Sequence, residues 1–456
     1  MDTIAAIATA PSPAAIGIVR LSGDSAPFVL DRIFTPANGR PMSEQEARRM
    51  IYGSVLDAAG RVIDHGLAVR FDAEHSYTGE SGAELHCHGS PVVLNEALSA
   101  AFSAGARQAK AGEFTRRAFL NGRMDLTEAE AVVDLIDAET AEAARNAAAQ
   151  VDGALRQLAE QAYDALLNIE SRFYAVVDYP DEDIEDASPA ETEASLTEIE
   201  ASLSALLATY SRGRILKTGV ATAIIGAPNA GKSSLLNRLV GYDRAIVTDI
   251  AGTTRDTVEE KATVGGVLLR LIDTAGLRET EDAVERLGVE RSRRAVENAE
   301  LILALLDGSA DGEEALQEET LRLARESGKP WILVWTKRDL ASFAPTEAAA
   351  EDAPCVIRLS NRTGEGFDAL ENAVGSLFPA GVPASGTLLT NARQADAVSR
   401  ALDAVRAALS ALRGGMTPDV VLTEAEAASG ALGELTGRTA REDMVARIFR
   451  RFCVGK

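Results

Sequence analysis

The stretch VATAIIGAPNAGKSSLLNRL, residues 220–239, decides the fold of the central part of this 456-residue chain. Its first residues are small or apolar and predict a buried strand, and its last residues predict a helix. Between them, GAPNAGKSS (226–234) matches the pattern G-x-x-x-x-G-K-[ST] in the strand-to-helix context that a phosphate-binding loop requires. The alternative, a chance glycine and lysine turn, is disfavoured by that context.

Each part of this loop has a chemical task. Gly226 and Gly231 allow the backbone to wrap around phosphate with its N–H groups pointing inward. Lys232 is expected to reach the β and γ phosphates, and Ser233 offers a hydroxyl to Mg²⁺. The sequence therefore predicts a nucleoside triphosphate site at this loop.

Three later motifs each follow an apolar, strand-like run. In DTAG (273–276), Asp273 is expected to hold Mg²⁺ and the Gly276 amide to sense the γ phosphate. In TKRD (336–339), the Asp339 carboxylate can accept hydrogen bonds from guanine N1 and N2, and LSN (359–361) would place a backbone amide near guanine O6. One Asp closing a strand is usually a cap, but four motifs in order indicate GTP rather than ATP.

The rest of the chain suggests several domains. Strand-like runs alternate with helices after Val220, which predicts a parallel sheet with both faces covered. Short strands and a helix are expected in 1–121, including strands at 16–23 and 84–88 and a helix at 92–106. Helical periodicity dominates from 126 to about 210 and returns over 390–412 and 421–452. The predicted domains are 1–121, a first helical part 122–215, an inserted α/β domain 216–379, and a second helical part 380–456.

Composition excludes several classes. Apolar residues make up 46% and charged residues 25% of the chain, which argues against collagen-like or disordered proteins. The net charge of −23 argues against promiscuous binding to RNA or membrane surfaces. The acid is concentrated at 178–200, with ten acids and no base, whereas the tail from Arg438 carries six Lys or Arg residues. Most simply, the acidic stretch is a solvated face and loop.

Cysteine usage and hydropathy point to a compartment. Three widely spaced cysteines without a C-x-x-C pair do not form a disulfide framework and suggest reducing surroundings. The N-terminal residues lack the charged region of a signal peptide, and no apolar run reaches ~18 residues. A cytoplasmic protein without a membrane contact is expected.

Beyond the nucleotide motifs, the chain resembles the MnmE (TrmE) family of tRNA-modification GTPases over nearly its whole length. The terminal Cys-x-Gly-Lys is especially specific, because other GTPases share the nucleotide motifs but not this tail. The stretches that carry the resemblance are GAPNAGKSSLLNRL (226–239), AIVTDIAGTTRD (245–256), DTAGLRETEDAVERLG (273–288), IGIVRLSG (16–23), YTGESGAELHCHGSP (77–91), AGEFTRRAFLNGRMDLTEAEAVVDLIDA (111–138), DYPDEDI (178–184) and FCVGK (452–456).

The resemblance implies a fold of the α/β plus α class. It has an N-terminal α+β domain that binds folate and dimerises, a central all-α helical domain, and an inserted Ras-like P-loop G domain. It also implies an activity with the flavoprotein MnmG, which holds FAD, in a heterotetramer. GTP, K⁺, Mg²⁺ and a 5,10-methylene- or 5-formyl-tetrahydrofolate would be used. The product would be a carboxymethylaminomethyl or aminomethyl group on carbon 5 of uridine 34 of certain tRNAs.

Hydrolysis in this family departs from the Ras pattern. The residue after DTAG is Leu277, which cannot orient water. The resemblance gives that role to Glu285, although by sequence alone a solvated helix acid is the commoner reading. It also implies that K⁺ takes the place of an arginine finger, with Thr254 as the switch threonine on Mg²⁺. The K⁺ ligands would be Asn229, Thr248, Ile250 and Thr253.

The remaining GTP contacts follow the motifs, with one departure. The usual pattern has Asn where this chain has the shorter Thr336, so guanine affinity is expected to fall modestly while Asp339 keeps specificity. The complete set of expected GTP-binding residues is Gly226, Asn229, Ala230, Gly231, Lys232, Ser233, Thr248, Thr254, Asp273, Gly276, Thr336, Lys337, Asp339, Ser360 and Asn361.

The resemblance also assigns a one-carbon site and a functional tail. Folate contacts would be Arg20, Glu84 and Arg123, with Lys456 of the tail at the cofactor and Cys453 required for function. By spacing alone, surface salt bridges and a frayed terminus with an incidental thiol are the simpler readings. The loop Ser12-Pro13-Ala14-Ala15 replaces a glycine-rich turn of the family.

The run His86-Cys87-His88 also invites a zinc reading, but Cys87 should point away from the two histidines, and no second ligand cluster follows.

Two further function classes fit part of the sequence. A regulatory GTPase switch in ribosome assembly would use the same nucleotide motifs, but it would carry an RNA-binding module instead of this N-terminal half and tail. A one-carbon transferase with an accessory G domain would need an acceptor site that the sequence does not display.

Overall fold

The computed structural model describes residues 2–178, 188–242, 260–272, 285–309, 314–345, 351–379, 387–439, 442–450 and 452–455. The chain divides into two compact units. One takes residues 1–133, 150–202 and 397–456, and the other takes 134–149 and 203–396. Among the described helices, none is long and apolar enough to cross a membrane.

The N-terminal part contains a seven-stranded sheet of order β3-β4-β5-β6-β2-β1-β7, antiparallel except for the β1–β7 pair. Helices α1 and α2 pack on one face, where Val19, Leu85 and Leu94 lie in the core. Phe114 of α3 packs with Ile4 on the other face. The predicted strands at 16–23 and 84–88 and the helix at 92–106 are confirmed. The elements are β1 (Ile4–Ile7), β2 (Ala14–Ser22), α1 (Ala26–Ile33), β3 (Phe34–Pro36), β4 (Ile51–Leu56), β5 (Val62–Phe71), β6 (Gly82–Gly89), α2 (Pro91–Ser103), β7 (Arg107–Gln108) and α3 (Glu113–Leu120).

The second sheet, of order β13-β12-β11-β8-β10-β9, carries the phosphate loop. Five of its strands are parallel, as predicted, but β9 is an antiparallel edge strand that the sequence reading omitted. Gly265 and Gly266, with φ of +58° and +78°, form the tight turn that joins β9 to β10. The elements here are β8 (Val220–Gly226), α9 (Lys232–Tyr242), β9 (Glu260–Val264), β10 (Val267–Leu271), α10 (Glu285–Asn298), β11 (Leu301–Asp307), α11 (Glu314–Glu326), β12 (Trp331–Thr336), β13 (Val356–Arg358) and α12 (Phe367–Leu377).

Helices cover both faces of this sheet. Leu235 of α9 and Leu370 of α12 belong to the core on one face. Val296 of α10 and Leu321 of α11 belong to the core on the other. The strands are therefore apolar on both sides, and β11 is buried along its whole length.

The remaining helices precede or follow the α/β segment in the sequence. Helix α14 packs along α6. The predicted helix at 390–412 is confirmed, and the predicted helical segment 421–452 contains two helices. Gly437, with φ of +90°, ends α14 in the left-handed conformation. These helices are α4 (Leu126–Ile136), α5 (Ala141–Val151), α6 (Ala154–Asp178), α7 (Pro189–Ala208), α8 (Tyr210–Thr218), α13 (Ala392–Arg413), α14 (Pro418–Thr436) and α15 (Glu442–Phe449).

The start of α4 is fixed by a reciprocal pair of hydrogen bonds. The Glu128 amide donates to Asp125 Oδ1 at 2.8 Å, and the Asp125 amide donates to Glu128 Oε2 at 2.7 Å. This is a capping box, which satisfies two backbone N–H groups at the helix N-terminus.

Candidate functional site

The phosphate loop joins the end of β8 to the start of α9, as the motif predicts. Its two glycines are required by close approach. A Cβ on Gly226 would lie 2.5 Å from the Leu305 carbonyl oxygen, and one on Gly231 would lie 3.2 Å from Asn361 Nδ2. Gly231 also has φ of +90°, a conformation that favours glycine.

Lys232 lies at the first position of α9 with its ammonium against the loop. Its Nζ donates to the carbonyl oxygens of Gly226 and Ala227, both at 2.8 Å. Burial lowers the pKa of Lys232. Ser233 is exposed in the first turn of α9, where the helix N-terminus favours anions. The predicted phosphate-binding and Mg²⁺-binding side chains therefore share one helix N-terminus.

The TKRD motif begins at the last residue of β12. Thr336 is fully buried, and its Oγ1 lies 2.9 Å from the Ala230 carbonyl oxygen and 3.2 Å from that of Leu306. Its hydroxyl therefore contacts the backbone of the phosphate loop at Ala230. The next residue, Lys337, has φ of +60° and pairs through Nζ with Asp307 Oδ2 at 2.5 Å.

The surroundings of Asp339 favour its ionised carboxylate, which can only accept hydrogen bonds. Ser360 Oγ donates to its Oδ1 at 2.7 Å, and this bond is the largest cause of a pKa below the usual range. The neighbouring Asn361 donates from Nδ2 to the Gly231 carbonyl oxygen at 3.2 Å. The structure thus brings the phosphate loop, TKRD and LSN together at the carboxyl ends of parallel strands, where ligands bind in open α/β sheets.

Two residues of this site were missed by sequence reasoning. Arg238 of α9 donates from Nη1 to the Asn361 carbonyl oxygen at 2.9 Å. Asp307 pairs with Lys337, and although burial raises its pKa, hydrogen bonds from Lys337 and Ser309 outweigh that effect and lower it. The available signal for Asp307 was an acid at the end of the fully apolar strand LILALLD.

Several predicted residues lie outside the described part of the chain. These are the expected switch and K⁺-loop residues, the DTAG pair and the terminal lysine. For Glu285, the first residue of α10, the side chain is also outside the description. The set is Thr248, Ile250, Thr253, Thr254, Asp273, Gly276 and Lys456.

In the N-terminal sheet, Arg20 and Glu84 face each other across β2 and β6. Arg20 Nε donates to Glu84 Oε1 at 2.9 Å, and the two side chains are 24% and 16% exposed. His86 Nε2 lies 3.2 Å from Glu84 Oε2, and this bond together with Arg20 holds the pKa of Glu84 below its usual range. The Arg20 guanidinium carbon lies 5.8 Å from the centre of the Tyr77 ring. A half-buried guanidinium, a carboxylate and an aromatic ring therefore lie together.

Arg123 is exposed, and its aliphatic part lies against Gly79, two residues beyond Tyr77. The chain terminus reaches the same sheet. The Gly112 amide donates to the Cys453 carbonyl oxygen at 3.3 Å, and a Cβ on Gly455 would lie 2.4 Å from the Ile7 carbonyl oxygen. Cys453 itself is exposed. Phe452 anchors the tail, because it is buried in a cluster with Phe119, Leu126 and Phe449.

The His86-Cys87-His88 run has a structural explanation. Cys87 is buried in the core on the sheet face opposite His86, as predicted, and burial raises its pKa to about 12. His88 Nδ1 lies 2.8 Å from Asp64 Oδ1. The two histidines thus contact different carboxylates.

Comparisons with known proteins agree with this arrangement. Family models match residues 3–123, as the N-terminus of the GTP-binding protein TrmE, and residues 126–453, as the MnmE helical domain. A tRNA modification GTPase MnmE from Symbiobacterium thermophilum is 44% identical over 458 residues, covering 100% of this chain and 99% of the relative. One of the same name from Streptococcus pneumoniae serotype 4 is 41% identical over 460 residues, with 100% and 99% coverage.

Among solved structures, the G domain of the T. maritima FeoB iron transporter matches at 25% identity with a TM-score of 0.25, covering 34% of this chain and 96% of that one. The full-length relatives and the family models carry the assignment. The chain belongs to the MnmE family of tRNA modification GTPases.

Proposed function

We propose that the protein is a K⁺-dependent GTPase that acts with the flavoprotein MnmG on tRNA in the cytoplasm. It would add a carboxymethylaminomethyl or aminomethyl group to carbon 5 of uridine 34, using a tetrahydrofolate one-carbon donor. The observation that carries the proposal is the convergence of the phosphate loop with Asp339 and Asn361 at one sheet edge. Relatives named tRNA modification GTPase match the chain over its full length.

The proposed nucleotide chemistry gives each motif residue a role. Lys232 would neutralise β and γ phosphate charge, and Ser233, with Thr254 and Asp273, would hold Mg²⁺, which stabilises negative charge on the phosphates. Asn229, exposed and with φ of +60°, would contribute a side-chain oxygen to K⁺ together with Thr248, Ile250 and Thr253. Glu285 would orient the attacking water.

We expect GTP hydrolysis to be faster in K⁺ than in Na⁺ at equal ionic strength, because Asn229 and its loop would bind the weakly hydrated cation. Initial rates in KCl and NaCl test this. Asn372→Ala, an exposed Asn on α12, serves as the control for Asn229→Ala, which should remove the difference between the salts. Equal wild-type rates in the two salts would contradict the K⁺ role.

We propose the one-carbon site at Arg20, Glu84 and Arg123, with Cys453 and Lys456 as the tail residues that serve it. Support comes from the ionised Glu84, the half-buried Arg20 and the ring of Tyr77, a donor set that fits a flat, polar pterin. The contacts of Gly112 and Gly455 bring the tail to the same sheet. We propose that the domains of the protein are 1–121, 122–215, 216–379 and 380–456.

Nucleoside analysis of tRNA tests the whole proposal. A strain that lacks the gene should lose the modified uridine 34, and the wild-type gene should restore it. Cys453→Ser should retain GTP hydrolysis but fail to restore the nucleoside. Normal tRNA together with defective ribosomal subunits would instead indicate the assembly switch.

A further inference from the structure

Two consecutive carbonyl oxygens of the phosphate loop are held by residues from the guanine side of the site. Thr336 Oγ1 lies 2.9 Å from the Ala230 oxygen, and Asn361 Nδ2 donates to the Gly231 oxygen at 3.2 Å. These contacts bridge 106 and 130 residues of sequence. The Thr336 hydroxyl carries one proton and lies near the carbonyl oxygens of Ala230 and Leu306, so the Gly231 oxygen needs another donor. The second contact depends on the amide of Asn361.

Asn361 is itself held from the other side. Arg238 Nη1 donates to its carbonyl oxygen at 2.9 Å, and the Arg238 guanidinium carbon lies 5.1 Å from the centre of the Phe367 ring. A Cβ on Gly364 would lie 2.2 Å from Arg238 Nη2, so this loop packs closely on the guanidinium. Asn361 therefore connects two elements, the phosphate loop through its side chain and α9 through its backbone.

We propose that Asn361 is a positioning residue whose side-chain amide couples the guanine-recognition loop to the phosphate loop. The coupling rests on the proposed GTPase function and deepens it. Guanine bound at Asp339 and Ser360 adds contacts to the loop that contains Asn361, and the hydrogen bond from Asn361 Nδ2 to the Gly231 carbonyl links that loop to the phosphate loop. Nucleotides that fill both halves of the site are bound more tightly as a result.

The test compares Asn361→Ala and the nearly isosteric Asn361→Asp with the wild-type protein, with Asn372→Ala as the matched control. Loss of one such hydrogen bond is expected to weaken GDP and GTP binding about five-fold. Asn361→Asp should weaken binding further, because its carboxylate would face the Gly231 carbonyl oxygen. KM for GTP should rise with kcat unchanged, and the preference for GTP over ITP should stay, since Asp339 still reads guanine N2.

A purely structural role would give a different result. The nucleotide-free Asn361 variants should melt only a few degrees below Asn372→Ala, as expected for one lost hydrogen bond, and a lower melting temperature with unchanged nucleotide affinity would overturn the proposal. Affinity within two-fold of wild type would also overturn it. Arg238→Ala should weaken binding as well, and combining it with Asn361→Ala should add little, because both act through one residue. If wild-type protein fails to bind GTP at all, the proposed function fails instead.

Discussion

At the scale of single residues, we expect Asp339 to select the base. Its carboxylate accepts a hydrogen bond from Ser360 at 2.7 Å and keeps further acceptor positions for guanine. In Asp339→Asn, an amide donor would replace one acceptor and face the donors of guanine N1 and N2. We expect GTP affinity to fall about 100-fold, since hydrogen bonds to a charged group are lost.

Xanthosine triphosphate supplies the complementary measurement. It carries an oxygen at carbon 2, which the new side-chain amide of Asp339→Asn would bind, so the variant should bind this nucleotide better than the wild type does. Competition titrations measure both affinities, and Asp368→Asn, an exposed acid on α12, is the control. An unchanged ratio of the two affinities would contradict the assignment of Asp339.

Asp125 predicts a pH dependence of stability. Burial raises its pKa to about 6, although hydrogen bonds from the Glu128 amide and Thr127 act in the opposite direction. The folded state therefore binds this proton more tightly than the unfolded state, where Asp titrates near 3.8. The contribution of Asp125 to the free energy of unfolding is fully present below about pH 4 and is lost as the pH rises through 6.

Asp125→Asn keeps the capping acceptor and removes the charge. The variant should gain stability relative to wild type between pH 4 and pH 6, by up to ~3 kcal/mol above pH 6. Urea unfolding across this range measures the difference, with the exposed Asp164→Asn as the control. Parallel stability curves for the variant and the wild type would refute the raised pKa.

Individual residues of the nucleotide site differ in how far the sequence could predict their positions and contacts. The loop between β8 and α9 lies where the sequence predicted a strand-loop-helix turn, because a strand, two glycines and a helix start are local signals. The contacts of Arg238, Thr336 and Asn361 could not be predicted, because each joins residues more than 100 positions apart. Such contacts exist only once the parallel strands are aligned.

At the scale of elements, the tail after α15 can be tested separately from the nucleotide site. Gly455 has φ of +101°, and a Cβ there would meet backbone atoms, 2.4 Å from the Ile7 oxygen and 3.1 Å from Ala8 Cα. Gly455→Ala should therefore displace the tail from β1. We expect GTP hydrolysis to stay at the wild-type rate and formation of the modified uridine to fall at least about ten-fold, because Cys453 would leave the sheet.

Val454→Ala is the matched control, since Val454 is 50% exposed and its replacement adds no atom near β1. Hydrolysis assays and nucleoside analysis of treated tRNA give the two readouts. Full modification by Gly455→Ala would show that the tail position does not matter.

Element boundaries were predictable where periodicity was uninterrupted. α13 was expected at 390–412 and runs over Ala392–Arg413. Helical periodicity over 421–452 does not locate the end of α14 at Gly437, because apolar spacing continues on both sides of that residue while its backbone conformation changes. β9 was not predicted, because only parallel strands separated by helices were expected. A two-glycine turn joins antiparallel strands directly, without an intervening helix.

At the scale of the whole molecule, the N-terminal sheet leaves part of one face open. Tyr52 and Leu67 are paired across β4 and β5 on the face opposite to α1 and α2, and they are 58% and 39% exposed. The Tyr52 ring stacks on His65, with centroids 6.4 Å apart. The family resemblance implies a homodimer, and we expect this face to form it, because exposed apolar surface of this kind is typical of interfaces.

Tyr52→Asp should raise the dimer dissociation constant by at least about ten-fold, since a charge would be buried without a partner. Sedimentation velocity over a range of protein concentrations measures this constant. Phe28→Asp, at a 62% exposed residue of α1, is the control. A dimer as strong as that of wild type would place the interface elsewhere.

The cluster formed by Phe119, Leu126, Phe449 and Phe452 has a consequence for synthesis of the chain. Its first members leave the ribosome more than 300 residues before its last members. At about 5–20 residues per second, roughly 15–65 s pass between the synthesis of Leu126 and that of Phe449 and Phe452, which complete the cluster. During that time the intervening segment, with the phosphate loop and its sheet, can fold by itself. Nascent chains should therefore acquire a nucleotide site before the terminal cysteine exists, and stalled chains that lack α15 should expose Leu126 to chaperones.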